Sequence, residues 1–261
     1  MMSAAGTYLY AVARDAGPVP SDGLTGVAGT PVRRIGHRGL AAYVSTVPLD
    51  RFGEEPLRRS MEDLDWLDDT ARAHHRVVEA VAASGPTVPV RLVTVYGGDE
   101  QVRALLERRR DGFNQALSRI AGRREWGVKV YASLAERAPK PGAASGAGGP
   151  GAAYLKRRQA GLRSREELWR QASARAERAH ESLAAVATAA RLHRPQDPRL
   201  SGRRDPMILN GAYLVEEDRG EEFRRVVDEL RAGGDAVELT GPWAPYSFAE
   251  LDDEPGKGEE P

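Results

Sequence analysis

Six residues at strict seven-residue spacing, Leu155, Leu162, Trp169, Ala176, Leu183 and Ala190, restrict what the middle of this chain can become. Ala172, Ala179 and Val186 add a second row over the later half. Apolar residues repeating in this way form a heptad seam, which predicts one long helix over residues 151–193. At 1.5 Å rise per residue, a helix of about 40 residues reaches about 60 Å, roughly twice the width of a small domain, so part of it must project. The alanine steps suit a close neighbour: a second helix or sheet of the same chain, or another protein.

The segments flanking the seam fix its surroundings. Glu125-Trp126-Gly127-Val128-Lys129-Val130-Tyr131 reads as a strand before it. After it come two strands between Pro198 and Glu217, a short helix from Glu221 to Arg231 and a strand from Ala236 to Thr240. The order βαββαβ is that of a ferredoxin-like split βαβ domain. A boundary inside the Pro-, Gly- and Ala-rich stretch from Pro139 to Ala153 would orphan the Trp126 strand, so the boundary belongs near Arg123.

Upstream, Thr7 to Ala13 is rich in β-formers, and Val32 to Ile35 and Leu40 to Val47 flank a Gly36-His37-Arg38-Gly39 hairpin turn. Leu64, Leu67, Ala71, His74, Val78 and Val81 mark one face of a helix that stops at Ser84-Gly85-Pro86. Val88 to Val95 is another strand, and Gly97-Gly98-Asp99 opens a helix with Val102, Leu105, Leu106, Phe113, Leu117 and Ile120 inward and Gly122 as its stop. The fold class expected is α+β in two domains. Residues 1–123 form an N-terminal α+β domain with a mixed or antiparallel sheet, covered on one face by helices. Residues 124–250 form the ferredoxin-like domain with its coiled-coil-like extension, and 251–261 an acidic flexible tail.

Composition narrows the function. The 261 residues carry 38 Lys plus Arg and 38 Asp plus Glu, leaving no overall field to attract nucleic acid or an anionic membrane. Beneath that balance, Tyr154 to Arg204 holds 13 basic and 5 acidic residues, and Asp205 to Pro261 holds 5 basic and 16 acidic. Such blocks serve internal complementarity and solubility, or two charged faces for different partners. Absence of cysteine excludes disulfides, thiolate chemistry and cysteine-based metal sites, and fits a reducing cytoplasm. Neither a signal peptide nor an apolar stretch of about 20 residues is expected.

The candidate chemical motifs have structural readings. His74 and His75 with Glu79 suggest a metal pair, but adjacent histidines point about 100° apart on a helix, and His74 falls on the apolar face. Thr94 to Asp99 sits between strand and helix as a phosphate nest would, yet Asp99 would repel phosphate and is expected to cap the helix. Asp63, Asp65, Asp68 and Asp69 match no calcium loop and read as a solvated helix start. No serine lies in a Gly-x-Ser-x-Gly elbow. The basic runs Arg108-Arg109-Arg110 and Lys156-Arg157-Arg158 lack the strand aromatics of an RNA-binding ferredoxin-like module. No cofactor or metal is expected.

Gly241-Pro242-Trp243-Ala244-Pro245-Tyr246-Ser247-Phe248 is the densest aromatic stretch, either a stiff closing segment or a recognition surface. With Tyr8-Leu9-Tyr10, Trp66-Leu67, His74 with Val77-Val78-Glu79, Pro89 to Val95, Glu125 to Tyr131, Ala153 to Gln159 and Asn210 to Val215, it resembles, in order and over nearly the whole chain, the gas vesicle protein L/F family. There are departures. Leu92-Val93 stands where that family usually has Phe-Gly, Ala244 stands for a proline, and the insert at 139–150 is longer.

The resemblance implies a non-enzymatic accessory or minor structural protein of gas vesicles, located on the vesicle or in the cytoplasm. Its implied partners are the hydrophobic shell protein and other accessory proteins during nucleation and assembly, with neither nucleic acid nor membrane. Candidate contact residues are Trp243, Tyr246, Phe248, Leu155, Leu162, Trp169 and Lys129, with Trp243, Tyr246 and Phe248 expected first to pack the chain end against the second domain. The rival class is an enzyme or ligand-binding regulator using the ferredoxin-like sheet face, marked by convergent polar residues in a pocket, which the sequence does not display. Oligomeric state is left open.

Overall fold

The computed structural model describes residues 4–15, 23–132, 150–195 and 205–249, the side chains of 150–165 excepted. The architecture is α+β with antiparallel sheets. The chain forms two compact units, one built from residues up to Glu125 together with the stretch from Pro242, the other from Trp126–Gly241. The expected second domain, 124–250, therefore loses both ends to the first unit. The reason lies in hydrogen bonds and burial of the C-terminal stretch, given below.

In the first unit, β1 (Ala5–Arg14) is buried along eight of its ten residues and forms the centre of the sheet. It pairs antiparallel with β3 (Leu40–Pro48), from Ala5 opposite Pro48 to Arg14 opposite Leu40, with a bulge between Leu9 and Ala11. β2 (Val32–His37) is the hairpin partner of β3, and the turn puts Arg38 and Gly39 at φ 47° and 81°, the two positive values a tight two-residue hairpin requires. β4 (Thr87–Pro89) and β5 (Val95–Tyr96) pair with the other edge of β1.

The single strand expected from Val88 to Val95 is thus two. Arg91 to Thr94 turn out of the sheet, closed by Thr94 Oγ1 donating to the Arg91 carbonyl at 2.8 Å, and Val93 adopts φ 64°. That conformation is costly for a β-branched side chain and free for glycine. It falls at the position where the family usually has glycine.

Two short helices, α1 (Leu49–Phe52) and α2 (Glu54–Ser60), lead into α3 (Leu64–Ala82). Asp63 caps α3, its carboxylate accepting from the Asp65 and Trp66 amides. The buried face of α3 is Thr70, Ala73, His74, Val77, Val78 and Val81, rotated from the expected stripe at its start, where Leu64 is 77% exposed. This face packs with Tyr8, Tyr10, Tyr43, Val47 and Phe52 into one core.

α4 (Asp99–Arg108) and α5 (Arg110–Ile120) replace the one helix expected after Gly98, parting at Arg109. The break lets α4 run beside β2 while α5 lies along β1 and β4, which one straight rod could not do on a twisted sheet. Gly122, at φ 68°, ends α5 as expected. Both helices pack on the face opposite α3, since Thr7 donates to Asp99 and Arg14 to Ser118. Helices therefore cover both faces of this sheet, not one. Asp99 corrects a second expectation: its carboxylate binds Arg33 through both oxygens at 2.7 Å instead of capping the helix, and the bonds from Arg33 and Thr7 hold its pKa below the usual range.

The second unit contains most of β6 (Arg123–Tyr131), then α6 (Pro150–Val186), β7 (Ala189–Leu192), β8 (Met207–Glu216), α7 (Gly220–Ala232) and most of β9 (Ala236–Trp243). Its sheet runs β7-β8-β6-β9, with Ala189 to Leu192 antiparallel to Leu214 to Gly211. Ala179, Leu183 and Val186 of α6 join Phe223 and Val227 of α7 over Trp126, Val128, Val130, Tyr213 and Val215. The seam helix stops at Val186, short of the expected 193, and Ala190 is in β7. Thr188 donates to the Leu214 carbonyl at 2.7 Å and His193 to that of Asn210 at 2.8 Å, so sheet pairing overrides the helix preference of Ala189-Ala190. The insert from Pro139 to Gly149, the start of the two-strand stretch at Pro198 and the acidic tail 251–261 lie outside the described residues.

Candidate partner-binding surface

The second unit ends at Gly241, where φ is 106°, and the C-terminal stretch from Pro242 belongs to the first unit. Two carboxylates hold it. Glu79 of α3 accepts from the Ala244 amide at 2.7 Å through Oε1 and from Arg124 Nη2 at 2.8 Å through Oε2. Glu125, itself 9% exposed, accepts from the Ser247 amide and the Ser247 hydroxyl, each at 2.7 Å. Charge-assisted bonds of this length are among the stronger ones a protein makes. Arg119 Nε adds a bond to the Phe248 carbonyl at 3.3 Å.

The three aromatics of the stretch separate in role. Phe248 is buried, as are Ala244 and Ala249. Tyr246 packs partly buried on the core beneath α3, stacked with His75 at 6.3 Å, and burial together with Glu79 and Glu125 raises its pKa. Trp243 meets the His75 edge at 5.1 Å yet stays 40% exposed. Tyr246 and Phe248 pack the chain end down as expected, but onto the first unit.

The remaining candidates are in the second unit. Lys129 pairs with Glu238 at 3.7 Å, beside Tyr131, whose hydroxyl donates to the same carboxylate at 3.2 Å. Trp169 is 48% exposed on α6, whereas Ala172, Ala179, Leu183 and Val186 further along are buried, so the later half of the seam is used inside the unit. Leu155 and Leu162 share the register of Trp169 on α6, with side chains outside the description.

His74 is a core residue. Its Nδ1 hydrogen-bonds with the Tyr8 hydroxyl at 3.0 Å, and that oxygen accepts from the Val93 amide at 2.9 Å, tying α3 through β1 to the outward turn. Burial pushes the ring's pKa down to about 4, opposed in smaller part by the Val90 backbone. Among the described residues no group of three His, Asp or Glu side chains is placed to hold a metal.

Glu79, Glu125, His75 and Arg124 are the residues that sequence reasoning missed as a set. Glu79 drew notice beside the His74-His75 pair and within the family resemblance, not as an anchor of the C-terminal stretch. A carboxylate directly before Trp126 in a buried strand was the one available signal, because such a charge demands donors.

Residues 6–250 match the family model described as gas vesicle synthesis protein GvpL/GvpF. The chain belongs to the GvpL/GvpF family of gas vesicle proteins. It is 45% identical over 249 residues to gas vesicle protein L of a Streptomyces species, covering 95% of this chain and 94% of that one. It is 28% identical to gas vesicle protein F of the same species, over 94% of this chain and 99% of the relative. The fold is that of the crystal structure of GvpF from Anabaena, with TM-score 0.72 at 19% identity, covering 97% of this chain and all of that one. GvpL/GvpF members are gas vesicle structural or accessory proteins, and no described helix of this one is long and apolar enough to cross a membrane.

Proposed function

We propose that this GvpL/GvpF chain is a non-enzymatic assembly factor that binds the hydrophobic shell protein and other vesicle proteins during nucleation or growth. A shell subunit with a gas-facing apolar surface aggregates in water unless that surface is covered before incorporation. The observation that carries the reading is Trp243, held 40% exposed on a segment that Glu79 and Glu125 fix in place. A rigid, partly exposed tryptophan is the usual energetic centre of a protein interface, because its large apolar face is presented at little entropic cost. We place further contacts on the α6 seam at Leu155, Leu162 and Trp169, and on Lys129. We also read the second unit as ferredoxin-like, with α6 as its extension; its βαββαβ order and β7-β8-β6-β9 sheet support this.

Pull-down of the shell protein by the full chain tests the proposal. Trp243→Ala is expected to weaken capture by about tenfold or more, as for an interface hot spot, with an unchanged melting profile. Tyr246→Ala is expected to lower stability, since that ring is part of the packing. Undiminished capture by the Trp243 variant, or no capture by the wild-type chain, removes the reading.

A further inference from the structure

One flank of α3 carries a line of apolar and aromatic side chains that the first unit leaves open. At about 100° per residue, Leu64, Ala71 and His75 project within about 40° of one another, and Leu67 stands about 60° aside, next to the buried face. Leu64 is 77% exposed, Leu67, Ala71 and His75 are half-buried, and Trp243 prolongs the line where it meets the His75 ring. Leu64 to His75 is about 17 Å, roughly three helical turns. A lone exposed leucine is ordinary on a protein surface, but a line of this length that ends on a tryptophan has the make-up of a contact surface.

Charge marks one end of that line. Glu62, Asp63, Asp65, Asp68 and Asp69 surround Leu64 and Leu67 in sequence, and residues 62–71 contain no base. Asp63 caps α3 and Asp68 pairs with Arg72, while Asp65 lies on the same margin one turn before Asp68. This margin repels an anionic membrane or an acidic peptide and favours Lys or Arg. A helix laid along α3 meets the line turn for turn, with its own apolar residues at three- and four-residue steps. We infer that the flank of α3 from Leu64 to Trp243 seats an amphipathic helix of about three turns, basic where it faces Asp65 and Asp68, presented by the protein that this chain captures.

The seat rests on the Trp243 contact proposed above and extends it. Trp243 anchors the His75 end, and Leu64 with the acids sets which way the bound helix lies. A partner helix held in this way has its apolar face covered, which is what a subunit prone to aggregate needs before incorporation.

Titration of the full chain with a labelled synthetic peptide of about sixteen residues, leucine on one helical face and lysine on the others, tests the seat without the shell protein. Fluorescence anisotropy is expected to show saturable binding that weakens about tenfold with Leu64→Gln, about tenfold with Trp243→Ala, and severalfold with Asp65→Asn plus Asp68→Asn or with added salt. Circular dichroism should stay native in the Leu64 and aspartate variants, whose side chains are exposed. A peptide of the same composition with its leucines out of helical register should bind about tenfold more weakly or worse. Absence of binding, equal binding of the scrambled peptide, or indifference to Leu64→Gln or to the aspartate variant overturns the inference. Leu64-dependent self-association or vesicle binding without peptide binding also overturns it, by placing a second copy or a membrane there. Shell-protein pull-down separates the two readings. Capture weakened by Trp243→Ala but untouched by Leu64→Gln leaves the Trp243 contact standing and removes the seat, and peptide binding by a chain that captures no shell protein removes the shell reading alone.

Discussion

His74 makes the stability of the first unit depend on pH. The ring is 3% exposed among Tyr8, Tyr10 and the α3 face, with Nδ1 bonded to the Tyr8 hydroxyl. Burial lowers its pKa from the ordinary 6.5 to about 4. The folded chain therefore keeps the ring neutral while the unfolded chain takes up a proton near pH 6.5, and the sign follows from that difference. The stabilisation is complete above pH 6.5 and is lost as pH falls toward 4, where the folded form protonates as well. Integrating the linkage gives a loss of about 2 kcal/mol between pH 7.5 and 5, out of roughly 3 kcal/mol for the whole shift. Urea unfolding at pH 7.5 and 5 for the wild type and for His74→Gln isolates the effect, because the other histidines and the carboxylates cancel in the difference. The wild type should lose about 2 kcal/mol more than the variant over that interval. Equal losses, or a proton resonance of His74 titrating near 6.5, would refute the argument.

Val93→Gly is expected to be neutral or to stabilise by up to about 1 kcal/mol, since release of the positive φ offsets the lost side chain, whereas Val88→Gly in the buried strand should cost about 3 kcal/mol; thermal melts compare the two. Gly26→Ala should destabilise by about 2 kcal/mol, because an added Cβ runs into the Tyr10 hydroxyl and Ser45, a loss visible as a lower midpoint in urea. Glu125→Ala leaves the partly buried Ser247 amide without its acceptor and should cost about 1–2 kcal/mol while opening the C-terminal stretch to limited proteolysis ahead of global unfolding.

Local periodicity made much of this fold readable in advance. The hairpin was legible because Gly36 and Gly39 flank two polar residues, although it is Arg38 and Gly39 that take the positive φ values, and α3 because its apolar residues recur at helical spacing and its stop signal is Gly-Pro. The misses share a cause: each was decided by something distant in sequence. Ala190 belongs to a strand because β8 offers it partners, and a helix propensity cannot see β8. The break of the Val88 stretch depends on Val93, whose amide is held by the hydroxyl of Tyr8, 85 residues away. The surface was legible only as composition. Trp243, Tyr246 and Phe248 were visible as a cluster, but Glu79 and Glu125, which decide that Phe248 is core and Trp243 remains on the outside, lie 165 and 122 positions from their bonded partners.

The route of the C-terminal stretch has a consequence for the order in which the protein is made. The second unit is in effect an insertion between Glu125 and Pro242, so the stretch from Pro242 leaves the ribosome after the whole of the second unit. Until Ala244 and Ser247 emerge, Glu79 lacks its amide donor and Glu125 lacks the two bonds from Ser247, both in the half that was translated first. The second unit can close on its own hydrogen bonds meanwhile. A chain released early, at Gly241, should therefore arrive with the core of its first unit missing the cover that Ala244 and Tyr246 give it, however correctly the half before it was synthesised.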